Sequence, residues 1–212
     1  MLKSINVITL FPQIISEWTK YGIINQGIQK SLIEINTYDL RKWGKGPHKQ
    51  VDDAPYGGGP GMVMMVEPLD NAIEQISSEK NIFMTPNGAE LTESLTLEMI
   101  SHSSLSIVCG RYEGFDQRII EMHADYTISI GKTVVSGGEV PSMFLMEALI
   151  RKIPNILGND DSLSFETFTD GVIDFPSYTR PEEYKGYKVP EVLLSGNHEE
   201  IDKWKKNNLG DI

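Results

Sequence analysis

The stretch Ser129-Ile-Gly-Lys-Thr-Val-Val-Ser-Gly-Gly-Glu-Val-Pro141 is predicted to be a glycine-punctuated loop that follows a β-rich run starting at Tyr126. A second loop of the same kind, Cys109-Gly-Arg-Tyr-Glu-Gly114, follows the β-rich run that starts at Leu105. Glycine permits tight bends and a close approach of the backbone to a ligand. Because open α/β sheets bind ligands in loops at the ends of their strands, we expect these two loops to line one cofactor pocket.

The composition is that of a folded protein with one substantial core, or with one domain and a small appendage. Of the 212 residues, 40% are hydrophobic and 8% aromatic, which is ordinary for a globular chain. The single cysteine, Cys109, excludes an intramolecular disulfide and favours a cytoplasmic location. The pattern of a signal peptide is absent and no apolar run approaches the length of a membrane-spanning helix, so we expect no membrane partner.

The net charge of −11, from 30 acidic and 19 basic residues, argues against a nucleic-acid partner. Phosphate binding usually relies on a basic surface. One segment departs from this average, because Arg41, Lys42, Lys45 and Lys49 lie within nine residues that hold no acid. A local basic patch is therefore compatible with the acidic net charge of the whole chain.

Alternating β-rich runs and helical patterns predict an α/β fold with a mainly parallel sheet and helices on both faces. The strands are expected at residues 5–11, 33–40, 82–85, 105–109 and 126–130. Pro86-Asn-Gly88 predicts a turn after the third of these strands. Helices are expected to begin at Pro12, Pro68 and Pro141. The last helix is apolar nearly all round, so we expect it to be buried in the fold or against a second subunit.

The C-terminal part of the chain has a different character. Residues 156–175 are mostly polar and acidic with little periodicity, which predicts a linker or lid. After Pro176 the chain ends in an amphipathic helix with a capping-box pattern of Asn197 and Glu200. We therefore divide the chain into a main domain (1–155), a linker (156–175) and a short C-terminal domain (176–212).

The common catalytic motifs are poorly matched. Gly131-Lys-Thr133 is similar to the end of a phosphate-binding P-loop, but that motif needs a glycine where Tyr126 stands. The four histidines have no metal-ligand spacing, so the residues predict no metal site. Cys109, at the end of an apolar run, is interpreted as a core residue and not as a nucleophile. Four glycines in five positions, 57–61, form either a surface hinge or part of a binding loop.

Five segments resemble, in the same order, the bacterial tRNA (guanine-N1)-methyltransferase family, TrmD, of the SPOUT class. They are Asp52–Met62, Val108–Asp116, Ser129–Gly131 with Ser136–Glu139, Tyr178–Pro181 and Val192–His198. The resemblance implies a SPOUT-type fold with a C-terminal trefoil knot in the main domain and a small, here truncated, helical C-terminal domain. It also implies a homodimer with active sites at the subunit interface.

The implied reaction is methyl transfer from S-adenosyl-L-methionine to N1 of guanosine 37 in tRNA, where guanosine 36 precedes it. By position in the family motifs, two groups of residues would form the walls of the S-adenosylmethionine pocket. The first wall comprises Thr85, Pro86, Gly110, Tyr112, Glu113 and Gly114. The second comprises Ser129, Ile130, Gly131, Val135, Gly137, Gly138 and Pro141. The resemblance leaves open whether magnesium takes part.

The chemistry requires a base, because N1 of guanine carries a proton and negative charge spreads onto O6 when that proton leaves. By position in the family pattern, Glu166 is the base and Arg151 the cation near O6. Glu166 stands where the family usually has Asp, so Asp161, Asp170 and Asp174 remain rival bases. Thr133 also replaces an aromatic residue that the family often has at the rim of the cofactor site.

The resemblance also implies contacts with tRNA. Their candidates are Lys42, Lys45, His48, Lys49, Asp52, Arg180 and Lys203. The basic helical tail that the family usually has after Trp204 is short here, and together with the net charge of −11 this predicts weak, salt-sensitive tRNA binding or a smaller area of contact with tRNA. Two other functions stay open: a module that binds S-adenosylmethionine or RNA without turnover, and a SPOUT methyltransferase that acts on another RNA.

Overall fold

The computed structural model describes residues 1–157 and 172–211, which belong to two compact units divided between residues 158 and 159. The first unit contains seven described strands: β1 (Ser4–Thr9), β2 (Glu34–Asp39), β3 (Asp52–Asp53), β4 (Val63–Met64), β5 (Lys80–Glu90), β6 (Ser104–Cys109) and β7 (Tyr126–Ser129). Its helices are α1 (Pro12–Trp18), α2 (Gly22–Gln29), α3 (Val66–Ile76), α4 (Glu93–Ile100), α5 (Gln117–His123) and α6 (Glu139–Ile150). A short 3₁₀ helix spans Leu40–Trp43.

A five-stranded sheet in the order β2-β1-β6-β5-β7 forms the centre of the first unit, and every neighbouring pair in it is parallel. The prediction of a parallel α/β sheet is therefore confirmed. The short strands β3 and β4 lie outside this sheet and pair with each other as an antiparallel hairpin.

The sheet is covered on both faces, as a parallel sheet requires. Along β1, Val7 packs into one apolar cluster and Ile8 into a second, because successive side chains of a strand point to opposite faces. The first cluster includes Leu145 and Leu149 of α6, which contacts α1, α2 and α4. The second includes Leu69 of α3, which contacts α5.

The turn predicted at Pro86-Asn-Gly88 is wrong. Strand β5 continues through these residues to Glu90, and its pairing with β7 changes register between Met84 and Ala89. A Cβ at Gly88 would lie 2.5 Å from the amide nitrogen of Ile128, so the glycine permits close contact with β7. The turn-forming residues therefore lie at an irregularity within the strand and do not end it.

Two helices begin earlier than their prolines predicted. Pro68 and Pro141 each occupy the third position of a helix, α3 and α6 respectively. The first four N–H groups of a helix have no acceptor within it, so a proline at the third position removes no helical hydrogen bond. Pro12 does occupy the first position of α1, as expected.

The second unit consists of short elements. They are β8 (Val172–Ile173), β9 (Glu183–Tyr184), β10 (Tyr187–Lys188), α7 (Glu191–Leu194), α8 (His198–Asn207) and β11 (Gly210–Asp211). Trp204 of α8 packs edge-on against Phe175 and Tyr178, with ring centroids 6.5 and 6.3 Å away. The side chain of Asn197 caps α8 by accepting from Glu200 N, which confirms that helix start. Within the two described ranges, no helix has the length and apolar character needed to cross a membrane.

Substituting Leu149 by alanine should destabilise the first unit, because this side chain of α6 is fully buried in the first apolar cluster. We expect Leu149→Ala to lower the free energy of unfolding by about 2–5 kcal/mol, measured by urea titration. Leu97→Ala in α4 is the matched control, because that leucine is 55% exposed. It should change the free energy of unfolding by less than about 0.5 kcal/mol. Equal effects of the two variants would contradict the placement of α6 in the core.

Candidate functional site

Two glycine loops meet beyond the carboxyl ends of β6 and β7. We call residues 109–114 the first glycine loop and residues 130–138 the second glycine loop. Gly138 N donates a hydrogen bond of 2.7 Å to Gly110 O. A Cβ on Gly138 would lie 2.6 Å from Gly110 N and 2.7 Å from Cys109 Cα. The main chains of the two loops are therefore in direct contact.

A cavity of about 280 Å³ lies between these loops and residues 84–87 in the middle of β5. The residues that the sequence predicted for the cofactor pocket line it, with the exception of Gly131. They are Thr85, Pro86, Gly110, Tyr112, Glu113, Gly114, Ser129, Ile130, Val135, Gly137, Gly138 and Pro141. The structure thus brings both predicted walls together around one space. Their role in binding a methyl donor stays a prediction.

Some residues that line this cavity were missed by sequence reasoning. They are Met84, Asn87, Arg111, Phe115, Ile128, Val134 and Ser136, whereas Thr133, which was expected at the rim, also lines the cavity. Asn87 directly follows Thr85 and Pro86, so its position next to two predicted lining residues was a signal that could have identified it. Arg111 stands inside a quoted motif, and a lone basic residue within a glycine loop was the pattern that could have identified it.

Three of the glycines that line the cavity, Gly110, Gly137 and Gly138, are in close contact with the protein's own atoms. A Cβ on Gly110 would lie 2.8 Å from Met84 O, and one on Gly137 would collide with the Arg111 side chain. Gly138 has a φ of −74°, which any residue adopts, so contact with the first glycine loop alone accounts for its missing side chain. The expectation that these glycines serve only the approach of a ligand therefore needs this packing role added.

The β3–β4 hairpin lies directly on the first glycine loop. Glu113 N donates to Met62 O at 2.9 Å, and Met64 N donates to Gly114 O at 2.9 Å. Partial burial, with the nearby carboxylate of Asp52, raises the pKa of the Tyr112 hydroxyl. The segment from Asp52 to Met62, which carries the run of glycines, is therefore attached to the cavity wall.

The two proposed catalytic residues are placed differently. Arg151 is the C-cap of α6, so it follows the helix that begins at the second glycine loop. Glu166 lies outside the described residues, as do its rivals Asp161 and Asp170. Asp174 lies in the second unit, where its carboxylate accepts a hydrogen bond from Phe175 N. The pairing of a carboxylate with Arg151 consequently stays a prediction.

The predicted tRNA contacts are distributed over both units. Lys42, Lys45, His48 and Lys49 are exposed in the segment between β2 and β3, and Asp52 follows them at the start of β3. Lys45 forms an ion pair with Glu67, and Lys42 Nζ lies 6.0 Å from the centre of the Tyr38 ring. Arg180 and Lys203 are exposed in the second unit.

Cys109 is a core residue, as the sequence predicted. Its thiol is fully buried, and its Sγ lies 3.1 Å from Ser142 Oγ. Burial raises the pKa of this thiol to about 12, so it stays protonated at neutral pH. A protonated, inaccessible thiol is a poor nucleophile.

The fold and the cavity alone define a class of protein: an α/β protein with a cavity where glycine loops leave the ends of parallel strands, the usual place for a ligand in such folds. Comparison with known proteins makes this class specific. The family model described as "tRNA (Guanine-1)-methyltransferase TrmD" matches residues 3–210. The chain therefore belongs to the TrmD family.

Similar curated proteins bear the same name, tRNA (guanine-N(1)-)-methyltransferase. The protein of Nitrosospira multiformis is 44% identical, over 97% of this chain and 84% of the relative. That of Shewanella halifaxensis is 45% identical, over 97% of this chain and 86% of the relative. That of Pseudomonas putida is 44% identical, over 97% of this chain and 85% of the relative. The resemblance that the motifs indicated is confirmed.

Replacing Gly138 by alanine tests whether contact between the two glycine loops, and not a bound ligand, is the reason that this position needs a glycine. Because the new Cβ meets main-chain atoms that cannot rotate away, we expect Gly138→Ala to lower the free energy of unfolding by about 1–3 kcal/mol without any ligand. Val135→Ala, also in the second glycine loop, is the control, because Val135 is 45% exposed. It should change the free energy of unfolding by less than about 0.5 kcal/mol. Unchanged stability of ligand-free Gly138→Ala in urea titration would show that the two loops are not in contact.

Proposed function

We propose that this protein transfers a methyl group from S-adenosyl-L-methionine to N1 of guanosine 37 in tRNA whose position 36 is also guanosine. One observation carries the proposal: the residues predicted for the methyl donor, apart from Gly131, line a single cavity. Membership of the TrmD family supports the same reaction class. The relatives' shared name specifies N1 of guanine in tRNA but not the position of the nucleotide.

The cavity is suited to a nucleoside with a sulfonium group. Its volume of about 280 Å³ is close to the lower end of the roughly 300–1,000 Å³ common for small-molecule sites. Ile128, Ile130 and Val135 provide apolar cover for an adenine ring, and main-chain groups of the two loops provide hydrogen-bonding partners. The donor, when bound, supplies an activated methyl group, so the protein has to prepare the acceptor.

Preparing the acceptor means removing the N1 proton of guanine and stabilising the charge that develops on O6. We assign the first task to Glu166 and the second to Arg151. General-base catalysis is typically worth about 10²–10⁴ in rate, and a cation near a developing oxyanion adds electrostatic stabilisation. Glu166 has one methylene more than the usual Asp, so its carboxylate extends farther from its main chain.

We also propose a homodimer, in which α6 provides part of the interface. Val140 and Phe144 lie one turn apart on α6 and are 58% and 57% exposed, although they are large and apolar. We take this exposed apolar pair, on a helix whose opposite face forms the core, as part of the subunit interface. The trefoil knot and the division into main domain, linker and tRNA-contacting C-terminal domain belong to the same proposal.

Methyl transfer is tested with unmodified tRNA that carries guanosine at positions 36 and 37, together with labelled S-adenosylmethionine. The proposal requires label in 1-methylguanosine at position 37, mapped by digestion and mass spectrometry. Label at another nucleotide would indicate a different RNA target. Binding of the donor without transfer to any tRNA would indicate a module without turnover.

Removing the proposed base should separate catalysis from donor binding. We expect Glu166→Ala to reduce single-turnover methylation by about 10²–10⁴, while calorimetry shows an unchanged Kd for S-adenosylmethionine. Asp161→Ala and Asp170→Ala are the matched controls and should keep the wild-type rate. A full rate in Glu166→Ala, with loss in one of the controls, would transfer the role to that aspartate.

A charge on the exposed face of α6 should disrupt the dimer. We expect Phe144→Glu to convert the protein from dimer to monomer in sedimentation equilibrium, because burying an unpaired carboxylate in an interface is unfavourable. Leu97→Glu places the same charge on α4 at a leucine that is 55% exposed, and should leave the mass unchanged. A wild-type protein that sediments as a monomer would refute the homodimer.

A further inference from the structure

Glu139 is a buried carboxylate to which the proposed reaction assigns no task. It lies in the first turn of α6 and is 3% exposed. Its Oε1 accepts a hydrogen bond of 2.7 Å from Thr9 Oγ1, and its Oε2 lies 3.8 Å from Arg111 Nε. A buried charge is unfavourable unless it is paired, so the position of Glu139 beside Arg111 calls for an explanation.

Arg111 connects this carboxylate to the cavity. Its guanidinium lies over the Phe11 ring, with Cζ 4.3 Å from the ring centre, and its Nη1 donates to Ser136 O at 2.7 Å. Phe11 N in turn donates to Thr9 Oγ1 at 2.9 Å, which closes a ring of contacts through Thr9, Glu139, Arg111 and Phe11. The guanidinium is therefore held from several sides at a fixed place in the cavity wall.

The second glycine loop is packed directly against this ion pair. A Cβ on Gly137 would lie 2.6 Å from Glu139 Oε2 and would also meet the Arg111 side chain. Arg111, Ser136 and Gly137 all line the cavity. A change in the charge or position of the pair therefore acts on the wall of the cavity itself.

The charge of this wall matters because S-adenosylmethionine carries a positive sulfonium, whereas its product S-adenosylhomocysteine has a neutral sulfur. Among the described residues that line the cavity, the charged ones are Arg111 and Glu113. An uncompensated guanidinium in a partly buried wall would repel the sulfonium and leave the neutral sulfur unaffected. Charges at such sites interact across several ångströms, since the effective dielectric constant there is well below that of water.

We propose that Glu139 is a positioning residue that neutralises and holds Arg111, so that the cavity accepts a cationic methyl donor. This inference rests on the proposed function, because it takes S-adenosylmethionine as the ligand. Glu139 acts through Arg111 and through the second glycine loop, and it does not need to touch the donor. Its effect is on the relative affinity for the charged donor and the neutral product.

The test is the ratio of the Kd for S-adenosylmethionine to the Kd for S-adenosylhomocysteine, measured by calorimetry on the full chain. Glu139→Gln keeps the shape of the side chain and removes its charge, so we expect this ratio to rise by about tenfold. Arg111→Gln removes the opposite charge, and the ratio should fall. In the double variant the two shifts should cancel to within about twofold.

Thr9→Val is the matched control, because it removes a hydrogen bond to the same carboxylate and leaves both charges in place. It should weaken both ligands alike and leave the ratio unchanged, and Glu139→Asp should also keep the wild-type ratio. If Glu139→Gln does not fold, the fall expected for Arg111→Gln still tests the inference. A purely structural role would weaken both ligands equally in every variant.

The outcomes separate this inference from the proposed function. A wild-type protein that binds neither ligand contradicts the function. A wild-type protein that binds both, with a ratio that Glu139→Gln and Arg111→Gln leave unchanged, contradicts the inference alone.

Discussion

The contact between Gly138 and Gly110 is the constraint on which the rest of the site depends. A hydrogen bond of 2.7 Å joins their main chains, and there is no room for a Cβ at Gly138. Because each loop leaves a strand of the same parallel sheet, this contact fixes the separation of the two cavity walls. It also fixes the start of α6, whose first residue, Glu139, follows Gly138 directly.

From that contact the electrostatics of the site follow. Glu139 can reach Arg111 because α6 starts where the two loops touch, and Thr9 reaches Glu139 from the end of β1. The β3–β4 hairpin is attached to the other side of the first glycine loop. The cavity wall thus contacts both a buried ion pair and the hairpin that begins at Asp52, a predicted tRNA contact.

Much of the fold could be predicted from the sequence, since strands such as Leu105–Cys109 are short, apolar and β-branched, and alternate with helical patterns. It could also be predicted that most of the cavity residues lie together, because the family that the motifs resemble places them around one cofactor pocket. The path of β5 could not be predicted, because Pro86-Asn-Gly88 is a turn sequence that lies within the strand at a register shift. The ion pair of Glu139 was also missed, since burial of a single glutamate depends on contacts distant in sequence. Glu166 lies outside the described residues, so its proposed role still depends on the family pattern.

The central claim is that the space between the two glycine loops holds the methyl donor, and a crystal structure with S-adenosylmethionine or S-adenosylhomocysteine tests it most directly. The account predicts electron density for the ligand between the Gly110 and Gly138 loops, with the adenine covered by Ile130 and Val135. Density for the ligand at any other place on the protein would contradict it.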